Sequence, residues 1–169
     1  TQGTILQRLD MPLTMLQNAN CSPNALLFSQ YAYFKTDMEI EYQINTAPGQ
    51  SGMLVVGVMY NATQETAAST RIANAVQLVQ MPHMRLNAAG SNSGKMTVPW
   101  VFQLPVAPTR NMPYASALYY YTIFVGVLAP LRVGVNGATA ANVVAYGRFK
   151  NLQFFGQRNM RNAVPRGLV

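Results

Sequence analysis

The residue types that carry most enzyme and metal chemistry are scarce in this sequence. His83 is the only histidine and Cys21 the only cysteine. No acidic residue lies near either of them along the chain, so a metal would lack ligands and a nucleophile would lack its base. Since His83 follows a predicted helix end and Pro82, we expect it to make a structural hydrogen bond. The sequence therefore predicts no catalytic residue, no metal site and no cofactor.

Two acidic residues, Glu39 and Glu41, are spaced as alternate residues of a strand and superficially resemble the paired carboxylates of a glycosidase. Lys35 and Asp37 belong to the same alternating row, and such a row is typical of a strand face that meets water or another subunit. We interpret Asp37, Glu39 and Glu41 as candidate subunit-interface residues.

The segment 90–95, Gly-Ser-Asn-Ser-Gly-Lys, superficially resembles a phosphate-binding loop. It lacks the glycine spacing of that motif, and it joins two predicted strands, whereas a phosphate loop opens a helix. We predict a hairpin turn instead.

Aromatic residues form two groups that could stack on bases or sugars, Trp100 with Phe102 and the run 119–121. Both groups fall inside predicted strands, which favours packing in a core or an interface. Trp100 is therefore a fourth candidate interface residue.

The clearest structural pattern is the unbroken alternation from Phe34 to Asn45. One side of this segment carries Phe34, Thr36, Met38, Ile40, Tyr42 and Ile44, and the other carries Lys35, Asp37, Glu39, Glu41, Gln43 and Asn45. A side-chain period of two predicts a long antiparallel strand with one buried face. That face needs a second layer to cover it.

Further strands are predicted along the rest of the chain, at Thr4–Leu9, Met53–Tyr60, Met84–Asn87, Met96–Leu104, Leu118–Leu128 and Val143–Phe155. The strand at Met53–Tyr60 is apolar on both faces, as a covered inner strand would be. Polar residues out of phase at Asn151 and Gln153 predict a bulge in the last strand. Pro99 should lie at a sheet edge or a bulge, and Pro130 should end its strand.

Only one segment shows helical periodicity, namely Glu65–Gln80, which should end before Pro82. Leu13–Ser29 contains several breakers and is predicted to be a loop. Seven or eight strands with one short surface helix indicate an all-β fold. We predict an eight-stranded antiparallel jelly-roll sandwich over residues 1–155, followed by a basic tail at 156–169. The uneven connections and the missing Cys-Trp-Cys core argue against the immunoglobulin type.

Composition favours a protein whose surface is covered by neighbours over the alternative of a poorly soluble monomer. Half of the 169 residues are apolar and only 10% are charged, against a usual charged share of about 25%. Residues 1–65 carry all five acids and two bases, whereas residues 66–169 carry ten bases and no acid. The bases are scattered, so this asymmetry is a weak nucleic-acid footprint. The first residues of the sequence lack the basic-then-apolar pattern of a signal peptide, and the longest apolar run, 118–131, is too short to span a membrane.

Several segments, in order, resemble coat proteins of the picorna-like viruses. They are Gly3-Thr4-Ile5-Leu6, Tyr33 to Ile40, Pro48 to Val56, Met81 to Asn87, Met96 to Val101 and Val127 to Arg132. The resemblance implies a jelly roll that assembles with related coat proteins into an icosahedral shell around a viral RNA genome. It also implies a polyprotein product found in the virion and assembled in the host cytoplasm, with a host receptor as a further partner and no membrane insertion.

The resemblance leaves the role of the basic tail open. Arg158, Arg161 and Arg166 are candidate contacts either to viral RNA or to the acidic row of a neighbouring subunit. The alternative function is a cellular jelly-roll module that binds a carbohydrate or a receptor, with a cleft or a bound ion at one end of the sandwich. An enzyme of the cupin type lacks the histidines that it would need.

Overall fold

The computed structural model describes residues 1–11, 22–60, 72, 74–89, 92–102, 104–109, 120–134 and 139–157, with side chains omitted for 22–25. These ranges contain eight strands, one α-helix and one 3-10 helix. In chain order they are β1 (Ile5–Met11), α1 (Ser22–Ser29), β2 (Tyr31–Asn45), β3 (Ser51–Tyr60), the 3-10 helix (Ala75–Gln80), β4 (His83–Asn87), β5 (Asn92–Val98), β6 (Ala107–Pro108), β7 (Tyr121–Arg132) and β8 (Asn142–Gln157).

The strands form two sheets in which every pair is antiparallel. Sheet A has the order β1-β7-β3-β4. In sheet B, β2 is central, β8 pairs along one of its edges, and β5 and β6 pair along the other. The predicted all-β antiparallel sandwich is confirmed.

The core between the sheets is built on the alternation of β2. Phe34 and Met38 are fully buried, Ile40, Tyr42 and Ile44 are 2% exposed and Thr36 is 3% exposed. Val56, Val58, Ile123 and Val125 of sheet A belong to the same apolar cluster. The predicted buried face of the long strand is confirmed, although the strand begins three residues earlier than predicted, at Tyr31.

A second apolar cluster lies on the outer face of sheet A. Val55 and Met59 of β3 and Phe124 of β7 pack there beneath Ala75 and Leu78 of the 3-10 helix. Because β3 is buried on both faces, its prediction as a covered inner strand is confirmed. At Gly126 a Cβ atom would lie 2.4 Å from the Cβ of Ala75, so the absent side chain lets the 3-10 helix approach the sheet closely.

The 3-10 helix is capped at both ends. Asn74 Oδ1 accepts a hydrogen bond from the Val76 amide at 3.0 Å, and Gln77 Oε1 accepts one from the Asn74 amide at 3.3 Å, which is a capping box. The helix ends at Met81 in extended conformation, directly before Pro82, as predicted. The described part of the predicted helix Glu65–Gln80 is 3-10 rather than α, and residues 65–71 and 73 lie outside the described residues.

The predicted loop Leu13–Ser29 is wrong at its end, because α1 occupies Ser22–Ser29. Ser22 and Pro23 look like breakers, yet both fall in the first turn, where proline is tolerated. Phe28 anchors the helix: it is 3% exposed, and its ring packs on those of Phe34 and Phe154 at centroid distances of 4.8 and 5.1 Å. Residues 12–21 lie outside the described residues.

Two strand ends differ from prediction at prolines. β5 ends at Val98 and not at Leu104, because Pro99 cannot donate to the ladder. β7 continues through Pro130 to Arg132, where a stop was predicted. The register between β3 and β7 shifts twice between Ser51 and Leu54, so Pro130 lies in an irregular stretch that does not require its amide. Residues 118 and 119 lie outside the described residues.

The predicted hairpin turn at 90–95 is wrong. β4 pairs with β3 in sheet A, whereas β5 pairs with β2 in sheet B. The connection therefore passes from one sheet to the other, and its last four residues, from Asn92 onward, belong to β5. Turn residues predict where a chain changes direction, but they do not identify the strand with which the next segment pairs.

Candidate subunit interface

Glu39 lies at the centre of a cluster of basic side chains on sheet B. Lys95 Nζ and Arg148 Nε each lie 2.9 Å from Glu39 Oε1, and Lys150 Nζ contacts Glu39 Oε2. Arg148 pairs directly with Glu39 across β2 and β8, and Lys95 and Lys150 occupy diagonal positions, which suits cross-strand ion pairs. The basic side chains are 43–60% exposed and leave the Glu39 side chain 2% exposed.

This arrangement stabilises the ionised form of Glu39. Hydrogen bonds from Lys150 and then Lys95 lower the pKa of the carboxyl from 4.5 to about 2, against a smaller opposing effect of burial. The sequence predicted a row open to water or a neighbour, whereas the carboxylate of Glu39 is covered and its charge is neutralised within the chain. That Glu39 belongs to a subunit interface stays a prediction.

Asp37 ties together three parts of sheet B. Its Oδ1 accepts the backbone amide of Trp100 at 2.8 Å, and its Oδ2 accepts Asn151 Nδ2 at 2.7 Å. The hydrogen bonds from Asn151 and Trp100 lower the pKa of Asp37. Asp37 thus fastens the end of β5 to the bulge of β8 through contacts within the chain.

The predicted bulge in β8 is confirmed at Asn151. The register with β2 shifts between Lys35 and Asp37, and Asn151 has a φ of 52°, in the left-handed region that asparagine adopts more readily than most residues. Thr36 lies opposite the bulge, and its hydroxyl donates to the Lys150 carbonyl at 3.0 Å. This inward-facing hydroxyl thus has two acceptors within reach, since the Asp37 carbonyl lies 2.7 Å from it as well.

The other two predicted interface residues have different surroundings. Trp100 packs by its ring against Phe34, Phe102 and Tyr120, with centroid distances of 5.7–5.8 Å, so it contributes to the edge of the core. Glu41 keeps a side chain 33% exposed and has Arg148 Nη2 at 3.8 Å. The carboxylate of Glu41 is therefore more open to a neighbour than that of Glu39, whose side chain is 2% exposed.

Exposed aromatic side chains lie on the same face as this cluster. Tyr33 pairs with Phe155, and Tyr146 pairs with Glu41, across β2 and β8. The exposed fractions of Tyr33, Phe155 and Tyr146 are 47%, 41% and 55%, respectively. We call the surface formed by Tyr33, Glu39, Glu41, Lys95, Tyr146, Arg148, Lys150 and Phe155 the outer face of sheet B. No helix or strand of the described chain lies over it.

Sequence reasoning missed the basic and aromatic residues of β5 and β8 on this face. Lys95, Arg148 and Lys150 each look like isolated surface cations in the sequence. Once β8 is aligned with β2 by its own alternation, Arg148 and Lys150 fall opposite Glu39 and Asp37. The alternation of β8 could therefore have identified these residues, but only if the pairing of β8 with β2 had been known.

His83 Nδ1 lies 2.8 Å from the Met81 carbonyl, which confirms its structural hydrogen bond. Among the described residues, no three His, Cys, Asp or Glu side chains come together as a metal site would require. No helix in the described ranges is long and apolar enough to cross a membrane. Arg158, Arg161 and Arg166 lie outside the described residues.

One end of the sandwich contains a cavity of about 280 Å³. Its walls are mainly apolar and come from both sheets; they include Leu6, Leu54, Val127, Leu131 and Val143. A carbohydrate site needs several converging polar groups, and this lining does not provide them. The cavity therefore gives no support to the alternative of a carbohydrate-binding module.

Comparisons with known proteins agree on one class. The chain is 42% identical over 163 residues to the genome polyprotein of Ectropis obliqua picorna-like virus, covering 96% of this chain and 6% of that polyprotein. It is 30% identical over 160 residues to the genome polyprotein of Deformed wing virus, covering 89% and 6%. The solved structure of deformed wing virus, a honeybee pathogen, superposes with a TM-score of 0.83 at 29% identity, covering 95% of this chain and 68% of that one. No family model matches.

The two antiparallel sheets and their likeness to a virion structure define a viral jelly-roll coat protein. The sequence matches narrow this class, and the chain is a capsid protein of the picorna-like viruses, encoded within a genome polyprotein. Its role is structural, and the alternative of a cellular binding module is not favoured. The chain spans about 6% of the length of the curated polyproteins that it matches.

Proposed function

We propose that this protein assembles with related coat proteins into an icosahedral shell around a viral RNA genome, and that the outer face of sheet B is one of its subunit interfaces. The observation that carries the interface is the exposure of Tyr33, Tyr146 and Phe155 on one face of β2 and β8. Aromatic side chains are enriched at the centres of protein interfaces. On sheet A, the corresponding outer face is covered by the chain's own 3-10 helix.

The charges on this face favour a partner that approaches closely. Because Glu39 is neutralised by Lys95, Arg148 and Lys150 within the chain, a neighbour need not supply a partner for a buried carboxylate, which would be costly to leave unpaired. The three basic side chains remain 43–60% exposed. They exceed the two carboxylates of Glu39 and Glu41 by one charge, so the face suits a polar and mildly acidic neighbour.

The experiment that tests this interface is particle assembly with the companion coat proteins present. Tyr146→Ala and Phe155→Ala should leave the thermal midpoint of the isolated protein within a few degrees of wild type, because each ring is about half exposed, and should strongly reduce the yield of closed particles. The matched control is Val76→Ala on the 3-10 helix that covers sheet A, where the side chain is 51% exposed. Normal particle yield from both aromatic variants would overturn the interface.

Glu41→Ala provides a milder version of the same test. Since Glu41 is one-third exposed, its removal should change the free energy of unfolding by less than about 0.5 kcal/mol. If its carboxylate contacts a neighbour, the yield of particles should fall while the free energy of unfolding of the isolated protein stays unchanged. If the particle yield and the salt tolerance of the particles are unchanged in Glu41→Ala, Glu41 is not part of the interface.

Contact with RNA is a separate part of the proposal and concerns the basic half of the chain. If Arg158, Arg161 and Arg166 touch the genome, genome-filled particles should lose stability with rising salt more steeply than empty ones, because each phosphate contact releases counterions. Equal salt slopes would instead favour a neighbouring subunit as the partner of these arginines. Assembly in the host cytoplasm and binding to a host receptor remain predictions from the family.

A further inference from the structure

Three basic side chains on the outer face of sheet B are held in place by one carboxylate. Lys95 Nζ and Arg148 Nε each lie 2.9 Å from Glu39 Oε1, and Lys150 Nζ contacts Glu39 Oε2. We call Lys95, Arg148 and Lys150 the cation triad. An ammonium group has three N–H donors and a guanidinium group has five, so the contacts with Glu39 use only a minority of the donors in the triad.

The cation triad needs a further acceptor once a neighbour covers it. Its side chains are 43–60% exposed, and a covered charge without a partner is costly. Glu39 and Glu41 together balance two of the three positive charges, and Glu41 Oε2 is 3.8 Å from Arg148 Nη2. A neighbour that excludes water from this face must therefore supply at least one negatively charged acceptor.

The geometry of the cation triad suits a carboxylate as that acceptor. Because Lys95 Nζ and Arg148 Nε both lie 2.9 Å from one oxygen of Glu39, a second carboxylate can contact both of them. Charge-assisted hydrogen bonds of this kind are among the strong ones, and arginine pairs well with carboxylates. An aspartate or glutamate of the partner would thus replace the water that the exposed donors now meet.

RNA fits this face less well than an acidic protein surface does. The outward row of β2 contains the acids Asp37, Glu39 and Glu41 beside Lys35, so with the cation triad the whole face has an excess of one positive charge. RNA binds through many phosphates, each of which needs a cation. A phosphate backbone on this face would also approach the carboxylates of Asp37 and Glu41.

A second copy of the same chain offers few acids to the cation triad. The chain has five acidic residues. Asp10, Asp37 and Glu39 are engaged within the chain, Glu41 belongs to the same face, and Glu65 lies outside the described residues. Each copy also carries a net charge of +7, so two copies repel each other.

We propose that the outer face of sheet B binds a different coat protein, which places a carboxylate on the cation triad, and that Glu39 is a positioning residue for this contact. Glu39 is 2% exposed, so it acts on the partner only through the three side chains that it holds. The inference rests on the proposed interface and adds the chemistry of the partner and the role of Glu39.

Binding to the companion coat proteins of the same polyprotein tests the carboxylate contact. Each companion would be purified and mixed with this protein, and complex formation would be followed by sedimentation velocity at a series of NaCl concentrations. One companion should bind, and more weakly at higher salt. Arg148→Met should weaken this binding at least about tenfold and flatten its salt dependence. The matched control Arg85→Met removes an exposed cation from sheet A and should bind like wild type.

Glu39→Gln separates positioning from net charge. This variant makes the face more positive, so an acidic partner should bind it more tightly if only the net charge of the face matters. If Glu39 holds the cation triad in place, the triad must be ordered during binding, and the binding should weaken at least about threefold. Urea unfolding at neutral pH checks that Glu39→Gln and Arg148→Met are folded.

Tyr146→Ala distinguishes a failure of this inference from a failure of the interface itself. Weaker binding in Arg148→Met and Glu39→Gln supports the proposal. If Tyr146→Ala weakens binding and Arg148→Met does not, the interface stands and the carboxylate contact is overturned. If neither variant weakens binding, the interface is wrong as well.

The remaining outcomes also decide the proposal. Tighter binding of Glu39→Gln overturns the positioning role. Self-association of this protein, or binding of a single-stranded RNA oligonucleotide, that is lost in Arg148→Met overturns the choice of partner. No measurable binding of the wild type to any companion coat protein likewise overturns it.

Discussion

The chain covers the outer face of sheet A with its own 3-10 helix, whereas it leaves the outer face of sheet B exposed to solvent. On sheet A, the 3-10 helix lies over Val55, Met59 and Phe124 and forms a second apolar cluster with them. On sheet B, Tyr33, Tyr146 and Phe155 stay open to solvent around a neutralised charge cluster. A sheet face that the chain covers itself contributes to folding, whereas one that it leaves open is available for assembly. The difference predicts which substitutions weaken the monomer and which weaken only the particle.

The largest effect on the isolated protein is expected at Leu78. This residue is fully buried between the 3-10 helix and sheet A, so Leu78→Ala should lower the free energy of unfolding by about 2–5 kcal/mol. Urea unfolding measures it. Val76→Ala on the same helix is the control and should cost less than about 0.5 kcal/mol, because its side chain is half exposed. Similar losses from both variants would show that this helix does not cover a core.

A smaller loss is expected at Gly126, where sheet A and the 3-10 helix touch. The Cβ of Gly126→Ala would meet the Cβ and Cα of Ala75 at 2.4 and 3.2 Å, so the helix must shift outward. Overpacking of this kind costs about 1–3 kcal/mol. Thermal unfolding should show the loss, and the control Gly134→Ala, whose nearest contact is 3.8 Å, should be close to wild type. An unchanged midpoint in Gly126→Ala would contradict the close approach.

The third prediction concerns acid stability and sheet B. The pKa of Glu39 is about 2 in the folded protein and ordinarily 4.5. Between these values the unfolded chain binds more protons, so stability falls as the pH falls. The contribution of Glu39 is fully present above about pH 4.5 and is lost on acidification toward pH 2. Urea unfolding at a series of pH values should therefore show a flatter profile for Glu39→Gln in this window.

Lys150→Met tests the cause of the lowered pKa of Glu39, because the hydrogen bond from Lys150 is the largest contribution to it. Its removal should move the acid-induced loss to higher pH. If wild type, Glu39→Gln and Lys150→Met share one pH profile, the charge cluster does not contribute to the stability of the monomer.

Local sequence patterns predicted the fold well where the pattern of buried residues can be recognised within a single strand. The alternation of β2 and the double-sided apolar run of β3 both correspond to buried residues in the structure. The out-of-phase residues of β8 likewise corresponded to a bulge. In each case the side-chain period of a strand is visible in a few neighbouring residues.

The sequence was less informative where the outcome depends on distant partners. Glu39 was predicted to be open, but Lys95, Arg148 and Lys150 cover it from other strands. The segment before β5 looked like a hairpin turn because its residues change the chain direction, and only the pairing partners show that it crosses between sheets. α1 was missed because its polar first turn resembles a loop, while its anchor Phe28 contacts residues far along the chain.

The extra residue of β8 restricts how this strand can change during evolution. Before Asn151 the outward-facing residues of β8 are even-numbered, and after it they are odd-numbered. Deleting Asn151 would place Leu152 opposite Thr36 and restore strict alternation, with Arg148 and Lys150 still outward and Phe154 still inward. A single-residue deletion at a regular position of β8 would instead exchange the two faces on one side of the deletion. We therefore expect natural changes in the length of β8 to occur at the bulge, and changes elsewhere in this strand to be substitutions that keep its length.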